Sequence, residues 1–455
     1  MYMNRKTIVA VVALLLIGCF ESQAAQALNL QQCIEMARQH NRSLQNAMLE
    51  MERSAEQKKE ARSKYLPGIS ANAIAFQAFD KIIKADGTYP EELAALESIN
   101  PAFSQLAGQP YAFHELSRGY TATVSLMLPL YTGGQIYNSN KLAEIGNEVA
   151  QLQYAMQEKE VVQKVTENYW QIANLTYNLQ TIDAAEVQLK AIYEQVNNFI
   201  ETGVTTGNAL LKVKLRQQEL ASNRLQLENA IHVLTLLLAQ QIGMGSEPLE
   251  LQIADMNSYA DMPAPVPGAE AVLGREELQL ADKMIASDRL QVKMERGKNL
   301  PKVAIGVVGY QMGIGGVSEP VKSYINTSAT NAIGLVTLSV PISSWIGGSH
   351  AVKRARIKQQ QSQNSRQDIE TQLIIDIESA WSNLQEAYQQ IKIAQASVEE
   401  AKENFRMSSD QYNIGKETLT DLLDAETLNR QACNSLSSAI AIYNIRYADY
   451  QRKVR

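Results

Sequence analysis

From Gln135 to about Glu201 the chain contains no proline, and its only glycine is Gly146. Apolar residues recur there at mixed three- and four-residue spacing: Val161, Val165, Tyr169 and Ile172. That is a coiled-coil type of stripe on one continuous helix. At the α-helical rise such a segment is about 100 Å long. The same pattern returns from about Ser349 to Asn413, with Leu373, Ile377, Ala380 and Leu384 on the stripe. A return helix of about 35 residues follows each, after Gly203 and after Gly415. No compact monomer buries a stripe of that length, so these hairpins must pack against neighbours.

The two long helices belong to an internal repeat. Arg62-Ser63-Lys64-Tyr65-Leu66-Pro67 returns as Arg296-Gly297-Lys298-Asn299-Leu300-Pro301. Val124-Ser125-Leu126-Met127-Leu128-Pro129 returns as Val336-Thr337-Leu338-Ser339-Val340-Pro341. A glycine pair follows each copy, Gly133-Gly134 and Gly347-Gly348. Gly203 precedes Leu210-Leu211 as Gly415 precedes Leu422-Leu423. The landmarks divide the chain into a first repeat over 28–245, a connector over 246–273 and a second repeat over 274–455. The connector carries Pro248, Pro263, Pro265 and Pro267.

Each repeat opens with a helix, Leu30 to Ser63 and Glu276 to Gly297. Two alternating segments follow. Ile69, Ala71, Ala73 and Ala75 share a face, as do Val303, Ile305, Val307 and Gly309. The partners are Tyr120 to Leu128 and Ile333 to Val340. Strands of roughly 9–11 residues cross a bilayer when tilted. Four strands cannot close a barrel, which takes at least about eight. Oligomerisation answers both shortages, pooling strands into one barrel and helices into one tube. Pro129 and Pro341 read as strand ends, and the glycine pairs as joints where the backbone turns into the long helix.

Composition narrows the function classes. The formal net charge is -6, so no basic balance points to nucleic acid. Arg5 and Lys6 precede a short apolar core from Ile8 to Ile17, which reads as an export signal over 1–27. Ala25-Gln26-Ala27 offers one cleavage site. Leu16-Ile17-Gly18-Cys19 resembles a lipobox, which would end the signal before Cys19 and leave a lipid on it. The first route is favoured, because the helical pattern begins almost at once after Ala27. Cys33 and Cys433 carry no disulfide pattern. The four histidines share no ligand spacing, so neither a metal site nor a cofactor is expected.

Taken in order, these motifs resemble the TolC family of outer-membrane efflux proteins over nearly the whole mature chain. The carriers are Leu28 to Ala37, Glu60 to Pro67, Pro129-Leu130-Tyr131-Thr132-Gly133-Gly134, and Tyr412-Asn413-Ile414-Gly415 through Ala425. The second junction, Pro341-Ile342-Ser343-Ser344-Trp345-Ile346-Gly347-Gly348, departs by two extra residues. The resemblance implies a mainly α chain with a membrane β-barrel. Three copies would form a 12-stranded barrel continuing into a long α-helical barrel. It implies loops from Asp80 to Gly119 and from Gly313 to Thr330 facing outward, and the turns at Gly203 and Gly415 at the periplasmic end. It implies a channel of a tripartite efflux pump or a type I secretion system, exporting substrates with a periplasmic adaptor and an inner-membrane pump and set among outer-membrane lipids.

Asp421 and Asp424 are three apart near a helix start and share a face. In the family the matching aspartates line the tunnel mouth, where three chains would set six carboxylates in a cation-favouring ring. The plainer reading is that they are helix-start acids favoured by the macrodipole. Tyr412 fits the position of a residue that helps hold the family's tunnel shut. Glu417 stands where the best-known members carry Arg, and Ala209 replaces its acidic partner. Lys212 is therefore the expected substitute, pairing with Glu417 or Asp421. No nucleophile–base pair, P-loop or dinucleotide fingerprint suggests an enzyme. A periplasmic adaptor is the nearer rival, but adaptors usually carry one hairpin per chain and lack membrane-length strand pairs.

Overall fold

A computed structural model describes residues 27–79, 84–88, 91–96, 108, 110–114, 118–203, 205–245, 249–253, 255–256, 259–318, 323–342 and 345–454. The signal core and Cys19 lie outside them. Helices α1 (Leu30–His40) and α2 (Arg42–Ser63) precede strands β1 (Gly68–Gln77), β2 (Lys84–Thr88), β3 (Pro110–His114) and β4 (Arg118–Tyr131). Helices α3 (Gln135–Glu201) and α4 (Gly207–Gln241) form the first hairpin, and the short α5 (Gly268–Ala271) ends the connector. The second repeat runs α6 (Glu276–Gly297), β5 (Lys302–Ser318), β6 (Ser323–Ser339), α7 (Trp345–Asn413) and α8 (Leu419–Val454).

The chain forms two compact units, and each draws on both repeats. The helical unit comprises 1–52, 148–282 and 364–455. The sequence stripes are its core: Val165 and Leu384 are fully enclosed, and Val161, Tyr169, Ile172, Leu373, Ile377 and Ala380 are buried. Three tyrosines tie the connector to it. Tyr169 donates to the Gln252 carbonyl at 2.7 Å, and Tyr443 to the Ala260 carbonyl at 2.8 Å. Tyr450 accepts from the Val266 amide at 2.9 Å. A proline-rich segment has few amides to offer, so side-chain hydroxyls satisfy its backbone. Cys33 is buried with its thiol pushed up to about 11 by burial, and Cys33 and Cys433 are both free among the described residues.

The first helix is not continuous to Ser63. Asn41 stands between α1 and α2 with extended backbone, φ -65 and ψ 125. Its side chain accepts from the Ser43 and Leu44 amides and donates to the Gln241 carbonyl at 2.7 Å. Asn41 thus caps α2 while docking on the end of α4, a long-range partner that helical periodicity does not show.

The strand unit comprises 53–147 and 283–363. Its main sheet has the order β1-β4-β5-β6, antiparallel throughout. Register places Ile69, Leu126 and Val307 across one face, with Ala71 beside Val124, and Leu128 beside Ile305 and Val336. The opposite face carries Ser70 beside Ser125, and Asn72 beside Thr123, Tyr310 and Asn331. The Ser70 and Ser125 hydroxyls share a hydrogen bond of 2.7 Å. The first face is apolar at its Ile69–Leu126–Val307 end and carries Gln77, Arg118, Gln311 and Thr330 toward the other, while the opposite face is mixed. Every residue of β1 is exposed within the chain. Ile69 is 71% exposed and Val336 74%.

Three boundaries in this unit differ from expectation. Pro129 does not end its strand, since β4 continues to Tyr131 past a register shift. β1 pairs β4 only as far as Met127, so Pro129 lies where its missing N–H costs no bond to β1. The segment from Gly313 to Thr330 is mostly ladder, because β5 and β6 are each 17 residues. Glycines there do not break pairing, and the register runs on from Gly313–Ser328 to Ser318–Ser323. The segment from Asp80 to Gly119 holds the β2–β3 ladder, a 3-10 turn over Glu91–Leu96 and the start of β4. No described helix is long and apolar enough to cross a membrane.

Candidate functional site: the hairpin tips and the strand-to-helix junctions

Both hairpins turn on glycines in the left-handed region, Gly203 at φ 74 and Gly415 at φ 76. Few other residues accept that backbone cheaply. At the second tip the Gly415 amide bonds to the Tyr412 carbonyl and the Lys416 amide to the Gln411 carbonyl, closing the helix end. Tyr412 is buried in a cluster with Val196, Val213, Leu419, Leu422 and Leu423. Its ring lies 5.9 Å from that of Phe199 in the first hairpin. Burial raises its phenol above the ordinary range. Tyr412 thus joins the two hairpins by packing.

Asp421 is part of a reciprocal cap on α8. Its Oδ2 accepts from the Thr418 hydroxyl at 2.6 Å and amide at 3.0 Å, and its own amide donates to the Thr418 hydroxyl. These bonds hold its carboxyl below the usual range. The helix-start role is therefore real, and it fixes where the carboxylate sits. Asp424 is exposed one turn further on.

The expected ion pair of Lys212 with Glu417 or Asp421 does not form among the described residues. Lys212 Nζ instead donates to the Thr420 hydroxyl at 2.9 Å. Glu417 keeps one carboxylate oxygen buried without a hydrogen bond. A second charged contact, which sequence reasoning missed, joins the same two helices. Glu426 is 1% exposed, with Arg216 of α4 at 3.9 Å and Arg430 of α8 at 3.5 Å. Neither of its oxygens has a hydrogen bond. Burial pushes its carboxyl above the usual range, against the pull of Arg430 and Arg216. The i,i+4 spacing of Glu426 and Arg430 is visible in the sequence, but the approach of Arg216 depends on how the helices pack.

The two strand-to-helix junctions differ. In the first, Gly133 and Gly134 have φ 63 and 76, and the Thr132 carbonyl and hydroxyl receive the first amides of α3. A Cβ built on Gly133 would overlap the Gly297 carbonyl, and one built on Gly297 would overlap that of Gly133. In the second, α7 already begins at Trp345. Gly347 and Gly348 are therefore helical and make no joint, contrary to the sequence reading. With two extra residues after Pro341, the pair falls inside the helix. Pro341 stands just beyond β6, as expected of a strand end.

Residues 33–240 and 269–446 match the family described as outer membrane efflux protein. The chain is 21% identical over 442 residues to the outer membrane protein TolC of Escherichia coli strain K12, covering 92% of this chain and 80% of TolC. Its fold is similar to that of a Pseudomonas aeruginosa membrane protein, with TM-score 0.73, 14% identity and coverage of 94% and 92%. It is also similar to the Campylobacter jejuni CmeC outer membrane channel, with TM-score 0.72, 16% identity and coverage of 93% and 85%. A match that spans both repeats, on a fold with paired hairpins and membrane-type strands, means that the chain belongs to the outer membrane efflux protein family.

Proposed function

We propose that three copies of this Gram-negative outer-membrane efflux channel protein assemble into one conduit. Their sheets would close a common barrel, and their hairpins a periplasmic tube. The observation that carries this is the β1-β4-β5-β6 sheet, with β1 and β6 at open edges and an exposed apolar face. Covering each exposed Ile, Val or Leu of that face stabilises by about 1.5–3 kcal/mol. Lipid and neighbouring strands are the partners that cover such a face and pair its edges. The tube would receive substrate from an inner-membrane pump through a periplasmic adaptor that grips the tips near Gly203 and Gly415. Two hairpins and a barrel sheet in one chain favour the channel over the adaptor itself.

At the tube's narrow end Asp421 and Asp424 would form the carboxylate ring, Asp421 held in place by its Thr418 cap. Opening would separate the hairpins and so break Phe199–Tyr412, Lys212–Thr420 and Arg216–Glu426. Imaging and native mass of the detergent-purified protein test the assembly: a threefold particle is expected, and a stable monomer would end this reading. Single-channel recording tests the ring. Asp421→Ala with Asp424→Ala should reduce cation selectivity and block by multivalent cations, and unchanged values would remove the ring from the account.

A further inference from the structure

We propose that the cationic cleft between α2 and α3 binds the phosphate headgroup of an anionic phospholipid from the periplasmic leaflet of the outer membrane. The cleft holds about 440 Å³ and lies within the strand unit. Arg62 and Lys58 line one wall, and Lys141 and Tyr137 the other. Asn140, which also lines it, ties the two helices together by donating to the Ala61 carbonyl at 2.8 Å. The one acid lining it, Glu144, is engaged by Lys141 at 2.8 Å and Lys58 at 3.4 Å. Those two lysines hold the Glu144 carboxyl below its ordinary range. Arg62 has no ion pair among the described residues. An uncommitted guanidinium beside two ammonium groups suits a phosphate, which the planar fork can meet with paired hydrogen bonds.

The height of the cleft selects a lipid, given the strand ends as the membrane boundary, on which this rests. α2 ends at Ser63 and β1 starts at Gly68, while β4 ends at Tyr131 and α3 starts at Gln135. Lys58, Arg62 and Lys141 therefore lie within two helical turns, about 10 Å, of the helix ends that lead into the strands. Leu66 and Leu130, exposed at 66% and 57%, flank the strand ends, and Tyr65 and Tyr137 are exposed beside them. Apolar strand, leucine and tyrosine collar, then cations is the order of groups met on leaving a bilayer. The second repeat follows the same order. Ile342 and Ile346 are exposed, and the exposed Lys353, Arg354, Arg356 and Lys358 follow on α7. No acid precedes Asp368 in that helix.

Native mass spectrometry of the full-length protein in detergent, titrated separately with phosphatidylglycerol, phosphatidylcholine and inorganic phosphate, tests this. Phosphatidylglycerol should bind more tightly than phosphatidylcholine. Arg62→Gln with Lys141→Gln should weaken it roughly thirtyfold, at about fivefold per cation near a lipid surface, and leave phosphatidylcholine binding unchanged. Equal binding of the two lipids would overturn the proposal, as would an unaltered phosphatidylglycerol affinity in the variant. If inorganic phosphate binds as tightly as phosphatidylglycerol, the cleft is a soluble-anion site and the lipid assignment falls. The oligomer mass in the same spectra reports separately on the three-copy assembly.

Discussion

The two strand-to-helix junctions come from one sequence pattern and are built differently. The first turns sharply on Gly133 and Gly134 with positive φ and seats its backbone against Gly297. The second has Pro341 just beyond β6, and Gly347 and Gly348 lie inside α7. Two inserted residues suffice to convert a pair of joints into a pair of weak helical positions. A repeated motif therefore fixes what a segment contains, while its length before the next element decides what the residues do.

Gly133→Ala should break this comparison hardest. A left-handed alanine costs about 1–2 kcal/mol, and overlap with a packed backbone about 1–3 kcal/mol more. The apparent melting point of the detergent-purified protein should fall steeply. Gly347→Ala has open space around its Cβ and should gain about 0.5–1 kcal/mol from helix propensity. Equal losses at both sites would mean that the junctions are alike after all.

The tips extend the contrast at a smaller scale. Thr418 and Asp421 cap α8 reciprocally, whereas Thr206 precedes α4 with no side-chain cap bond. Thr418→Ala should therefore cost about 1 kcal/mol, seen as faster amide exchange over the first turn of α8. Thr206→Ala should change little. The Asp421 carboxyl is depressed in the fold, so its contribution is complete above the ordinary value of 3.8 and is lost as pH falls through the folded value. The difference between wild type and Thr418→Ala should accordingly narrow on acidification.

The smallest effect sharpens the second junction alone. A Cβ on Gly348 would meet the Asn299 side chain. Gly348→Ala should be near neutral, with propensity offsetting the collision. In an Asn299→Ala background it should become stabilising by roughly 0.5–1 kcal/mol. A double-mutant cycle on the melting point reads that change of sign.

Local pattern was legible wherever it was also decisive. The absence of proline and the apolar stripe marked α3 over its full length, and the glycines marked both tip turns. Long-range partners were not legible. Asn41 breaks the first helix because Gln241 receives its amide. Lys212 turns to Thr420 because the packing of α4 on α8 brings that hydroxyl closer than a carboxylate. Glu426 attracts no notice as one acid on a helix, and becomes unusual only when helices from both repeats enclose it. β5 and β6 run well past the alternating segments, because the ladder continues through glycines where the resemblance implies a loop.

The meeting of Gly133 with Gly297 has a historical consequence. Each forbids a side chain on the other, and one belongs to each repeat. If the halves arose by duplication, most positions could drift independently once separated. Here neither glycine could be replaced first without a collision, whichever half mutated. The pair is a mutual veto on substitution at this junction, standing where its counterparts Ser63 and Gly347 have already parted from it in residue or in backbone.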